Sequence, residues 1–401
     1  MINAADAEAA TRAWLAIIPP DEKAKSDAYF EGGYWLILWN FLLTAGLMLL
    51  LLCTRLSARI RDFAERITGV RALQVAIYTL LFILISSILT FPLEYYQNFV
   101  REHQYGMATQ NFQSWFGDEL KMFIIQLIVL PLLLMALYWV FRHVPRGWWI
   151  IGSIVVMAFV IFGALVSPVY IEPLFNKYTA LEDPKIRDPI LQLARAKQIP
   201  VTKVFVVDAS RQTKRVSANV SGFLNTTRIA LNDNLLRECT LPEIRDVMAH
   251  EMGHYVLNHV MKFFAFAALL TLFVFGLTKL AFEWAVKRWG EVWRVRGIDD
   301  PAGLPLLVLI FAALSFLGTP INNTLVRTQE QEADIFALNA AREPDGAAKV
   351  DLKLGKYRKM EPTSLEEFVL FDHPSGRSRI RMAMDWKAAH LPCGTAKPEA
   401  P

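Results

Sequence analysis

Six long apolar runs restrict the fold of this chain more than any other feature of its sequence. They lie near Tyr34–Cys53, Leu73–Pro92, Met122–Phe141, Trp148–Ile171, Phe263–Trp284 and Leu304–Thr319. A helix rises about 1.5 Å per residue, so each run crosses or nearly crosses a hydrocarbon layer about 30 Å thick. The last is the shortest, and a helix beyond Pro320 has room to continue it. A 54% hydrophobic composition and a mean hydropathy of +0.30 fit a membrane protein better than a soluble one. Trp35, Trp39, Trp139, Trp148, Trp149 and Trp284 sit near span ends, where amphipathic rings prefer the interface.

The remaining composition mostly excludes. The first 33 residues carry Asp6, Glu8, Asp21 and Glu22 and no long apolar run, so they do not read as a cleaved signal peptide. Three scattered cysteines (Cys53, Cys239, Cys393) suggest neither a disulfide framework nor a C-x-x-C site. A net charge of only +4 without a basic stripe argues against a nucleic-acid partner. The chain divides into a membrane region, residues 1–171 with four spans, and a second region, 172–401. The latter holds two more spans, near 263–284 and 304–319, and a Pro/Gly/Ala-rich tail expected to be disordered after about residue 390.

Two polar blocks interrupt the spans. In the first, Lys203–Asp208 reads as a buried strand, Arg228–Leu231 as a second strand, and Val216–Gly222 as an edge strand or loop. Thr240-Leu241-Pro242-Glu243 is a capping box with Pro in the first turn, a helix start. About two turns on comes His250-Glu251-Met252-Gly253-His254, H-E-x-x-H. Residues i and i+4 share a helical face, so both imidazoles reach one metal ion while the glutamate reaches a water beside it. Such an ion lowers the pKa of water from about 15.7 toward 7, and a glutamate takes the proton.

Two histidines hold zinc poorly, and a catalytic zinc usually takes three protein ligands plus a water. The candidate third ligand lies past the last span, in Glu330-Gln331-Glu332-Ala333-Asp334. Glu330 and Asp334 share a face. Glu330 is placed to bind the metal and Asp334 to accept from a ligating imidazole. Glu332 points about 200° away by helical geometry. A solvated acidic face is the competing reading of this spacing. By the same geometry His259, five residues past His254, turns off the ligand face, and His103 and His143 read as interface residues.

Taken together, H-E-M-G-H, the later E-x-E-A-D and the arrangement of spans resemble the type I CAAX prenyl proteases, integral-membrane zinc metallopeptidases of the gluzincin type. Phe91-Pro92-Leu93-Glu94-Tyr95-Tyr96, Pro173–Thr179, Leu181-Glu182-Asp183, Ser217-Ala218-Asn219 with Gly222, and His373-Pro374 with Arg379 extend the similarity from about Phe91 to about Met382. With the six apolar runs counted above, the resemblance implies a mainly α fold: about six transmembrane helices around a water-filled chamber, with a small α+β metallopeptidase domain. It implies one zinc ion held by His250, His254 and Glu330, with Glu251 as general base. His373 would face the zinc and stabilise the oxyanion, Arg379 would support that region, and Asn219 would hold substrate backbone. The partners it implies are the lipid bilayer and a peptide or protein substrate, prenylated or membrane-associated, in a bacterial inner membrane or a membrane of the endoplasmic-reticulum type. Two features depart from the family. Its best-known members have seven spans, not six, and His-Pro-Ser-Gly stands where the family usually has a second proline and leucine.

Two arguments about sidedness conflict. Arg55, Arg59, Arg61, Arg66 and Arg71, then Arg142 and Arg146, then Lys287, Arg288, Arg294 and Arg296 fall in loops on one side, which the positive-inside rule makes cytoplasmic. The metal site would then be non-cytoplasmic, whereas in eukaryotic members of the family it opens to the cytosol. Two other functions compete with C-terminal peptide processing: quality-control proteolysis of membrane proteins, and a non-catalytic scaffold or transporter stabilised by zinc. The second predicts a closed four-ligand site.

Overall fold

The computed structural model describes residues 4–221 and 228–391. The expected segment after residue 390 and Gly222 of the edge strand therefore lie largely or wholly outside the described residues. Among the described residues, six helices are long and apolar enough to cross a membrane: Pro20–Cys53, Arg71–Gln104, Phe112–His143, Trp148–Leu174, His259–Trp293 and Pro301–Ala341. All six expected spans are present, each longer than its apolar run, because polar turns extend the helices beyond the hydrocarbon layer. The sixth runs unbroken through Pro320, so its last turns carry Glu330 and Asp334.

These helices touch in a closed order, first to second, onward to the sixth, and sixth back to first. Each buries little. At most 28% of any apolar window is buried, and none of the fifth helix's window is. A helix in a filled bundle buries roughly three of every seven residues. The spans therefore meet one another along narrow seams and leave most of their apolar surface unburied by the protein. Two spans loosen into a single wide turn near one end, at Tyr96–Val100 and Ser167–Ile171. Such turns are inserted residues in the helical ladder and shift the register of the later turns.

At that end sits a four-stranded sheet: β1 (Tyr178–Ala180), β2 (Val204–Val207), β3 (Ala218–Ser221) and β4 (Arg228–Asn232), in the order β1-β2-β4-β3. β2 and β4 pair in parallel, and the outer strands pair antiparallel. The strands expected from Lys203–Asp208 and Arg228–Leu231 are β2 and β4. The edge strand is β3. The sequence reading does not include β1, because three residues are too few to show an alternation.

Helix Leu241–Val256 carries the H-E-x-x-H motif, and its capping box is formed, with the Thr240 backbone N–H donating to Glu243 Oε2 at 2.6 Å. Three faces of this helix do different work. Ile244, Met248 and Met252 recur every four residues and pack on Ile229 and Leu231 of the sheet and on Ile190 and Leu191. Ala249 and Gly253 face the sixth span. His250 and His254 turn into a cavity that Glu330 of the sixth span also lines. A Cβ on Gly253 would lie 3.3 Å from the Ala333 backbone and 3.1 Å from the Phe336 ring. Glycine at this point of the motif therefore lets the two helices approach closely enough for their side chains to share a site.

Candidate metal centre

The close approach at Gly253 and Ala333 brings side chains 80 residues apart in sequence onto one point. His250 Nε2 and His254 Nε2 lie 3.1 Å apart. Glu330 places Oε2 3.2 Å from His250 Nε2 and Oε1 3.4 Å from His254 Nε2. Tetrahedral ligands at about 2.0–2.2 Å from a first-row divalent ion are separated by roughly 3.3–3.6 Å. The donor set and its spacing thus fit such an ion. Among the described residues these three form the one cluster of His, Cys, Asp or Glu that converges in this way.

Each expected neighbour can be located. Asp334 Oδ1 accepts from His250 Nδ1 at 2.8 Å, leaving Nε2 as the free lone pair. Arg379 Nε donates to Asp334 Oδ2 at 2.8 Å, and a second guanidinium nitrogen donates to Oδ1. His373 Nε2 is 3.3 Å from Glu330 Oε2, and its Nδ1 donates to Asp372 at 2.8 Å. Glu251 lines the same cavity, a space of about 310 Å³ bounded also by Ser217 and Ala218. Burial raises the Glu251 carboxyl above the usual range, against the pull of the two histidines. Asn219 is not brought to this cavity. Val216, Ala218 and Val220 face the motif helix, so alternation turns Asn219 to the other side of β3. Its Oδ1 is buried and has no hydrogen-bond partner among the described residues.

Several residues of this centre escape sequence reasoning. Asp351 lies 3.4 Å from Arg379 on the side away from Asp334, so one guanidinium serves two buried carboxylates. Burial, opposed by Arg379 and reinforced by Asp334, pushes Asp351 up to about 6. Asp246, four residues before His250, is pushed up to about 8 by burial and by Asp351 and Asp334. Spacing alone gives no sign of either, because their approach to Arg379 depends on packing between separate helices. His259 departs from its expected place for a definite reason. The motif helix ends at Val256, and Asn258 adopts a left-handed conformation at φ 56°. The five-residue step therefore does not follow helical geometry, and His259 Nδ1 returns to 2.8 Å from His254 Nδ1.

The comparisons with known proteins agree with this geometry. Residues 180–387 match peptidase family M48, and residues 5–177 match the CAAX prenyl protease N-terminal family, described as having five membrane helices. The chain belongs to peptidase family M48. It is accordingly a multi-pass membrane metallopeptidase. Within 5–177 it has four candidate spans rather than five. An uncharacterized metalloprotease of Bacillus subtilis, YhfN, is 30% identical over 92% of this chain and 87% of its own length. CAAX prenyl protease 1 of Saccharomyces cerevisiae is 27% identical over 75% of this chain and 70% of its own. The crystal structure of Saccharomyces mikatae Ste24p superposes with a TM-score of 0.79 at 23% identity, covering 92% of this chain and 90% of that one. The fold is therefore shared.

Proposed function

We propose that this chain is a zinc endopeptidase with one zinc ion per chain, held by His250, His254 and Glu330. It acts on peptides presented at the membrane, in the manner of C-terminal CAAX processing. The observation that carries the reading is the convergence of two Nε2 atoms and one carboxylate at spacings of 3.1, 3.2 and 3.4 Å beside Glu251. Zinc, when bound, supplies Lewis acidity that acidifies water and polarises a carbonyl. Glu251 accepts the proton of the attacking water and delivers it to the leaving amine. Its raised carboxyl suits a group that must hold a proton between the two steps. His373, with Nδ1 donating to Asp372, donates from Nε2 in its doubly protonated form to the oxygen on which negative charge builds. Asp334 and Arg379 hold the His250 ring. β3 ends the sheet among the described residues, and its outer edge, which includes the Asn219 backbone rather than its side chain, offers N–H and C=O groups for an extended peptide.

Three converging ligands rather than four, among the described residues, favour catalysis over a closed structural site. The names of the relatives in yeast, plants and mammals favour CAAX-type processing over general quality control. The test uses purified protein with measured zinc content and a peptide panel with and without a farnesylated cysteine. Cleavage near the modified C-terminus, lost by roughly 10²- to 10⁴-fold in Glu251→Gln with zinc retained, is the expected result. Full turnover by that variant rejects the role of Glu251. Equal cleavage of all peptides rejects the CAAX assignment.

A further inference from the structure

His250 and His254 are held by different means. His250 donates to a buried carboxylate, Asp334, as ligating histidines commonly do. The Nδ1 of His254 instead meets another imidazole, His259, at 2.8 Å. His259 is buried, 2% exposed, and its Nε2 lies 3.0 Å from Glu332 Oε2. Glu332 is half exposed and also accepts from Lys262 at 2.8 Å. The chain His254–His259–Glu332 thus joins three helices: the motif helix, the start of the fifth span and the end of the sixth.

Hydrogen-bond bookkeeping along this chain has one solution for neutral rings. Glu332 as a carboxylate only accepts, and Lys262 beside it favours that charged form. His259 must then carry its proton on Nε2, which leaves a lone pair on Nδ1. That lone pair can only accept, so His254 must carry its proton on Nδ1. The His254 Nε2 is left unprotonated and faces His250 Nε2 and Glu330. We propose that Glu332, acting through His259, sets the tautomer and ring orientation in which His254 can ligate the metal. His259 and Glu332 are positioning residues: neither reaches the reacting atoms. Helical geometry alone turns Glu332 away from the site, and the bend at Asn258 is what gives it a route back.

This inference rests on the three-ligand reading of the site, and the experiment separates the two. Zinc affinity is measured by competition with a chelator on full-length protein in detergent, for wild type, Glu330→Ala, His259→Ala, Glu332→Gln and the His259→Ala/Glu332→Gln double variant. Removing such a partner typically weakens metal binding about 10- to 100-fold. His259→Ala should fall in that range. Glu332→Gln, an exposed change that leaves the core untouched, should shift affinity in the same direction. Because Glu332 acts only through His259, its substitution should add nothing in the His259→Ala background. Nitrogen-15 histidine spectra of the zinc-free protein should show His254 protonated on Nδ1 in wild type and a mixture of tautomers in Glu332→Gln. If Glu330→Ala binds zinc like wild type, the site reading fails. If Glu330→Ala loses zinc while His259→Ala and Glu332→Gln keep wild-type affinity, this inference alone fails. A mere staple between helices would lower the melting temperature, with additive effects and unchanged zinc affinity and tautomer, and that outcome also overturns it. Should His259→Ala fail to fold, Glu332→Gln decides through its affinity and its spectrum.

Discussion

Replacing Arg379 by methionine removes a cation but keeps most of the side chain's length and volume. The side chains of Arg379, Asp334 and Asp351 are 12%, 11% and 6% exposed, so three charges share a largely buried site. Asp334 receives two hydrogen bonds from the guanidinium, and Asp351 lies 3.4 Å from it. Without Arg379 both carboxylates remain buried: Asp334 keeps only its contact with His250, and Asp351 keeps, among the described residues, only the more distant pull of Arg358. Breaking a buried ion pair by removing one partner costs about 3–5 kcal/mol. In a folding unit of about 150–250 residues 1 kcal/mol corresponds to roughly 2–4 °C, which sets a fall in melting temperature of about 6–20 °C as the upper range for this longer chain. Asp334 would relieve part of this by taking up a proton, becoming a poorer acceptor for His250 Nδ1, and zinc affinity should fall about 10- to 100-fold. The cost lies in orphaned charge rather than in lost packing, and this has a consequence for a second substitution. Asp351→Asn should raise the melting temperature of Arg379→Met while lowering or not changing that of the wild type. The assay is thermal unfolding of the zinc-loaded protein in detergent, with zinc measured on the same samples. A melting temperature within about 2 °C of wild type for Arg379→Met would refute the reasoning. Failure of Asp351→Asn to restore stability in that background would do so as well.

Other substitutions probe neighbouring groups. His373→Ala should lower kcat about 10²- to 10³-fold with KM nearly constant and zinc retained, because an oxyanion donor acts mainly in the transition state. Loss of zinc, or a raised KM with kcat intact, would reassign His373 to metal or substrate binding. Burial and the nearby Asp351 and Asp334 push the Asp246 carboxyl up to about 8 from an ordinary 3.8, so between those values the folded state holds a proton that the unfolded state has released. Its contribution to stability is therefore complete below about pH 4 and is lost as pH rises to about 8. In the zinc-free protein, Asp246→Asn should flatten the decline of melting temperature from pH 5 to pH 8 and stabilise most at the upper end. Parallel pH profiles for the two proteins would show that Asp246 does not carry that decline.

What the sequence determined by itself were features that repeat or act over a few residues. Apolar runs of about twenty residues specify spans because lipid thickness sets their length. The Thr240–Glu243 capping box specifies where the motif helix starts, and i,i+4 spacing places His250 with His254 and Glu330 with Asp334 on common faces. Tertiary structure alone decided which faces meet. Glu330 joins the histidines because Gly253 lets the motif helix settle against Ala333. Asp351 and Asp246 join the site because separate helices pack around Arg379, and no local pattern records that. His259 defies its spacing because a left-handed residue at Asn258 breaks the helical period. Asn219 enters the expected site through resemblance, and the alternation of β3 turns it from the cavity. Periodicity reports the environment of one element, whereas a metal centre is built where several elements converge. Its geometry is therefore a property of packing between helices distant in sequence.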